Sequence, residues 1–134
     1  MTFKDLKALR YHRREIEDIR ERITRLQAAM EDGRKAMLDG MPHSGQQRDR
    51  MADYIVKLEG LYEQLLARWT DMETGIAAAM EWIDTLPPDE GEVMRLRYVQ
   101  GLTWREVERR AGYAENNRTA YRIQRRALRK LPPE

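Results

Sequence analysis

Between Met51 and Leu86, apolar side chains recur at alternating intervals of four and three: Met51, Ile55, Leu58, Tyr62, Leu65, Trp69, Met72, Ile76, Ala79, Ile83 and Leu86. That spacing keeps one face of a helix apolar over about five heptads. It predicts a helix from about Gln46 to Leu86, roughly 60 Å long at 1.5 Å per residue. No proline interrupts it, and Gly60 and Gly75 each weaken it by ~1 kcal/mol relative to alanine. An earlier segment repeats the pattern less cleanly through Leu9, Ile16, Ile19, Ile23, Leu26, Met30 and Met37, with His12 and Gly33 at two seam positions. Between the two lies Asp39-Gly40-Met41-Pro42-His43-Ser44-Gly45, whose glycines and proline end a helix and reverse the chain. The expected fold class is all-α. Its first part, residues 1–86, is a long antiparallel helical hairpin of coiled-coil type.

A single pair of helices buries little. Tyr54, Leu61 and Leu66 flank the second seam and widen its apolar stripe. A stripe that broad calls for more than one partner, so the hairpin is expected to self-associate, as a dimer with a four-helix core. The residues expected at that dimerisation seam are Ile55, Leu58, Tyr62, Leu65, Trp69, Met72 and Ile76. Methionines and aromatics at such regular spacing read as packing residues rather than a cofactor pocket. Glu15, Glu17 and Glu21, among arginines, read as a solvated face rather than a metal site.

The pattern changes after Leu86-Pro87-Pro88-Asp89-Glu90. Prolines are tolerated at a helix start and acids favour its N-terminus. A helix is expected from about Pro88 to Gln100, with Val93, Leu96 and Val99 inward, ended by Gly101. Thr103-Trp104-Arg105-Glu106 is a capping box that opens a short helix, Trp104–Ala111, with Val107 and Ala111 inward. Gly112-Tyr113-Ala114 makes a turn, and Asn116 or Asn117 is expected to cap a last helix, from about Asn117 to Leu131. On that helix Ala120, Ile123, Ala127 and Leu131 share one face, and Arg118, Arg122, Arg125 and Arg129 the opposite one. A short helix, a glycine turn and a helix with an apolar back and a basic front is the grammar of a helix-turn-helix. Residues 87–134 are therefore expected to form a three-helix domain that binds double-stranded DNA.

Charge sharpens this expectation. The chain of 134 residues has a formal net charge of +2, but Met1–Leu86 holds 14 basic and 16 acidic residues and Pro87–Glu134 holds 11 and 7. Six basic residues and no acidic one fall between Asn117 and Leu131. Positive charge gathers where a polyanion would be met. In this reading Asn117, Arg118, Tyr121, Arg122 and Arg125 face base edges. Arg105, Arg126, Arg129 and Lys130 hold phosphates, and Trp104 lies against the backbone.

The same residues carry a resemblance. Leu86-Pro87, Glu92-Val93-Met94-Arg95-Leu96-Arg97-Tyr98, Gly101-Leu102-Thr103-Trp104-Arg105-Glu106-Val107 and the basic last helix resemble the fourth region of bacterial sigma factors, which reads the −35 promoter element. The whole chain looks like small phage and prophage regulators that join a helical hairpin to such a module, akin to the ArpU and RinA groups. The loop residues Met41-Pro42 and Asp49-Arg50-Met51, and Ala120-Tyr121-Arg122-Ile123 with Ala127-Leu128, are similar to runs in those proteins. The resemblance implies a phage or prophage transcriptional regulator acting in the bacterial cytoplasm, with RNA polymerase as a second partner. Two departures stand out. Ala114-Glu115-Asn116-Asn117-Arg118 is longer than the corresponding turn by about two residues. Nothing in the chain resembles the sigma region that opens the −10 element, so a complete sigma factor is not implied.

Two other classes join similar parts: a small terminase-like DNA-packaging subunit, which forms a large ring, and a helical adaptor that binds protein through the hairpin. An enzyme is not expected, because catalysis needs convergent polar groups. The only serine, Ser44, lies in the loop, and His12 and His43 have no partners at triad or metal-ligand spacing. No glycine-rich phosphate loop is present. With no cysteine there is no disulfide or thiol nucleophile. No cofactor is expected. No apolar run reaches the ~18 residues of a membrane span, so no membrane partner is expected either.

Overall fold

The computed structural model describes residues 1–38, 45–114 and 118–132. The described residues are helical with no strand. In chain order they form α1 (Phe3–Leu38), α2 (Gly45–Ile83), α3 (Pro88–Met94), a π-helical turn over Arg95–Val99, α4 (Trp104–Ala111) and α5 (Thr119–Leu128). The reversal is expected over Asp39–Gly45; residues 39–44 of it lie outside the described residues and Gly45 opens α2, while the expected cap at Asn116 or Asn117 also lies outside the described residues. Among these residues no helix is long and apolar enough to cross a membrane.

Two compact units divide the chain. One is Arg14–Trp69, the rest of α1 from Arg14 onward with most of α2. Its contacts pair residues whose numbers rise on one helix as they fall on the other. Arg68 Nε lies 2.6 Å from Glu15, and Gln27 Nε2 donates to the Tyr62 hydroxyl at 3.2 Å. A Cβ added at Gly33 would stand 3.2 Å from the Met51 sulfur. The two helices thus lie antiparallel. Ile16, Ile19 and Ile23 are buried, whereas the seam of α2 divides. Leu58 and Leu65 are half-buried, but Ile55, Tyr62 and Trp69 remain 47%, 46% and 43% exposed. The half-buried stripe of this part of α2 runs instead through Met51, Tyr54, Leu58, Leu61, Leu65 and Arg68, so Ile55, Tyr62 and Trp69 sit at a constant angle beside it.

The other unit joins Met1–Arg13 to Thr70–Glu134. Its first cluster takes Leu6 and Leu9 from α1, Ala79 and Ile83 from α2, Met94 from α3, Tyr98 from the π turn and Ala127 from α5. Full burial of Leu6, Leu9 and Ile83 is worth ~1.5–3 kcal/mol each relative to exposure. Gly75, which the heptad pattern counts as a weakness, is the slot that admits Leu9: a Cβ there would lie 2.6 Å from Leu9 Cδ2. The second cluster, Val93, Leu96, Val107, Ala120 and Ile123, holds α3, α4 and α5 together.

The expected single helix over Pro88–Gln100 is interrupted. The Gln100 amide bonds back five residues to the Arg95 carbonyl at 3.0 Å, and Leu102 bonds to Leu96 at 3.1 Å. Such a wide turn is typical of π bulges inside helices. The Val99 carbonyl then accepts a 2.6 Å bond from Arg13 Nη2 of α1. Gly101, at φ 74°, leaves room for that guanidinium, since a Cβ there would lie 1.7 Å from Arg13 Nη1. The last helix is also shorter than expected. It begins at Thr119, with Arg118 as its N-cap residue in the left-handed region at φ 52°, and it ends at Leu128. Tighter turns follow, Lys130 to Ala127 and Leu131 to Leu128, ahead of Pro132, which disfavours helix at the residue before it.

Candidate nucleic-acid interface

The elements around α5 are fixed by their ends. Thr103 Oγ1 accepts from the Glu106 amide at 3.2 Å, the N-cap bond that its sequence predicts. Gly112, at φ 80°, closes α4 in the left-handed conformation that glycine adopts without steric cost. The corner between α4 and α5 is tied by an acid that the sequence pattern hides. Glu108 is buried and its carboxylate accepts from the Ala120 amide at 3.0 Å, in the first turn of α5. That bond satisfies a donor which the helix start would otherwise leave open, and its charge suits the positive end of the helix.

A back, a front and two flanks of α5 can then be told apart. The back is buried: Ala120, Ile123, Gln124 and Ala127. Gln124 takes a place that the apolar pattern does not anticipate, because its Oε1 accepts a 2.5 Å bond from the buried Tyr98 hydroxyl. The front is exposed and basic, with Arg122, Arg125 and Arg129 following one another and Arg118 just ahead of the helix. Arg105 on α4 is exposed as well.

The two flanks differ. On one, Tyr121 meets Trp104 edge to face, with ring centroids 5.6 Å apart. The Arg97 guanidinium covers the Trp104 ring at 4.4 Å and donates to the Leu102 carbonyl at 3.0 Å. Trp104 therefore supports Tyr121 within the protein. Arg97 completes a cluster of three side chains that the sequence reading of the site does not include. On the other flank, Arg126 and Lys130 meet α3. Arg126 Nε lies 3.2 Å from a Glu90 oxygen, Lys130 Nζ lies 2.5 Å from the other, and Arg126 also pairs with Asp89. The Glu90 side chain is 1% exposed. A carboxylate so buried needs cations beside it, because ionisation away from water is otherwise costly. The bond to Glu90, and after it the charge of Asp89, push the Arg126 guanidinium above the ordinary arginine value.

Of the residues expected to touch DNA, Arg105 on α4, Arg118 ahead of α5, and Tyr121, Arg122, Arg125 and Arg129 are thus exposed. Trp104 is half-buried beneath Tyr121, Arg126 and Lys130 are engaged by acids of α3, and Asn117 lies outside the described residues. Glu90 is 36 and 40 residues away from its two cations, a separation at which no local pattern gives a signal. Compared with family models, with curated proteins and with solved structures, the chain matches none.

Proposed function

We propose that the protein is a sequence-specific regulator that binds duplex DNA, with α4 and α5 as a helix-turn-helix and α5 in the major groove. The observation that carries this reading is the front of α5. Arg122 and Arg125 stand out on a helix whose back is buried and whose start is held by Glu108, with Arg118 exposed just ahead of it. Arginine forks can bond two acceptors on guanine, and a helix braced from behind presents them in a fixed register. Tyr121, braced by Trp104, is a further candidate for a base edge or sugar. Arg105 and Arg129 suit phosphates on either side.

The exposed apolar residues of α2 support a second part of the reading. Ile55, Tyr62, Leu66 and Trp69 follow intervals of seven, four and three, and Leu66 is 69% exposed. A second copy of the hairpin would cover them, giving a dimer that presents two reading helices. The likeness to sigma region 4 and to phage regulators adds RNA polymerase as a second partner and a bacterial cytoplasm as the setting.

The test is a selection from random duplex oligonucleotides, followed by titration of the recovered site. One enriched motif, repeated with a fixed spacing, is the expected result. Arg122→Ala should then weaken binding by ~1–3 kcal/mol and relax preference at one base pair. Recovery of no motif, or an unchanged affinity for Arg122→Ala, would sink the placement of α5. Mass in solution separates the packaging alternative, since eight or more subunits in a ring favour it and two favour regulation.

A further inference from the structure

The exposed side of α5 carries more positive charge than it has to give. Arg126 and Lys130 lie one helical turn apart on the flank toward α3, and roughly half of each side chain is open to solvent. Their charges are nevertheless engaged. Glu90, almost wholly buried, takes one bond from each, and Asp89 takes a second from Arg126. A phosphate approaching this flank would have to displace a carboxylate that has no water to turn to. It would also meet Asp89, itself 45% exposed, as a like charge.

Sequence-independent affinity for DNA comes almost entirely from such phosphate contacts, and each adds about 0.9 to the salt slope of binding. Base reading by the front of the helix does not depend on them. We propose that Asp89 and Glu90 are specificity-determining positioning residues. They withhold Arg126 and Lys130 from the DNA backbone and so keep non-specific binding low relative to the contacts of Arg118, Arg122 and Arg125. This rests on the DNA-binding reading above. The acids work through two cations and touch no base. Their effect runs opposite to that of a binding residue, because their removal tightens binding to DNA of any sequence.

The experiment measures affinity for a duplex of mixed sequence across a range of salt, in the full chain, with helical content checked at the assay temperature. Glu90→Gln keeps the shape of the side chain and removes its charge. It should bind several-fold more tightly at low salt, with a slope steeper by about 1 for each cation released. Asp89→Asn, at a half-exposed position, is the gentler variant and should give a smaller change of the same sign. The triple variant E90Q/R126Q/K130Q should return the slope to that of the unaltered protein, which a purely structural effect of Glu90 would not do. An unchanged or shallower slope in folded Asp89→Asn and Glu90→Gln, with binding still sensitive to Arg122→Ala, overturns the withholding alone. Absence of salt-dependent duplex binding in every variant and in the unaltered protein overturns the DNA-binding reading and this inference with it.

Discussion

Tyr98 and Gln124 meet inside the first cluster, and the tyrosine reports on that core. Burial pushes its phenol up to about 12 from an ordinary value of 10. The folded protein therefore holds this proton over a range in which the unfolded chain releases it. The contribution to stability is whole below pH 10 and is lost as pH rises from 10 to about 12, amounting to ~2–3 kcal/mol. Tyr98→Phe should flatten that part of the stability profile, which denaturant titrations on either side of the window will show. Two glycines make a second comparison at this scale. Gly101 and Gly112 both have positive φ, 74° and 80°, but only Gly101 has a neighbour, Arg13, in the way of a Cβ. Gly112→Ala should cost ~1–2 kcal/mol for the left-handed backbone alone. Gly101→Ala should cost ~1–3 kcal/mol more, because it also dislodges the bond from Arg13 to Val99. Equal losses in urea denaturation would mean that the Arg13 contact contributes nothing.

The helices show which signals a sequence carries by itself. α4 begins and ends at the residues its pattern predicts, Trp104 and Ala111, because both determinants are local: a threonine three residues before a glutamate, and a glycine after the last turn. Thr103→Ala should therefore cost ~1 kcal/mol in thermal melts, as other N-caps do. The π turn at Arg95–Val99 gives no such signal, since Leu96 and Val99 suit an ordinary helix equally well. The bond that relieves it comes from Arg13, 86 residues earlier. The site divides in the same manner. Arg122, Arg125 and Arg129 were legible as a stripe because helical periodicity alone places them, whereas Arg118 falls just ahead of the helix in the left-handed region, which periodicity does not foresee. The acid that starts α5, Glu108, and the acids that engage its flank, Asp89 and Glu90, were not, because each acts across a tertiary contact.

At the scale of the whole chain, Pro87-Pro88 is a clear break in the sequence pattern, yet the compact unit that contains α5 crosses it. Four of the seven buried residues of its first cluster come from before the prolines: Leu6, Leu9, Ala79 and Ile83. A fragment of residues 87–134 lacks all four and should show no cooperative melting transition by circular dichroism. A sharp transition like that of the full chain would mean that the second cluster, Val93 to Ile123, is sufficient alone. The exposed residues of α2 give a test of opposite character. Leu66→Glu alters a side chain with little packing in one protomer, so sedimentation should show a loss of self-association without a loss of helix. The composition of the first cluster also bears on how the protein is made. Leu6 and Leu9 are made before their partner Ala127, which comes more than a hundred residues later. At about 5–20 residues per second the interval is on the order of 10 s. For that time the apolar face at the start of α1 lacks these partners, and the unit that holds α5 cannot close before Ala127 has been made. A nascent chain arrested at Gly112 should then be far more open to protease near Leu9 than the released protein.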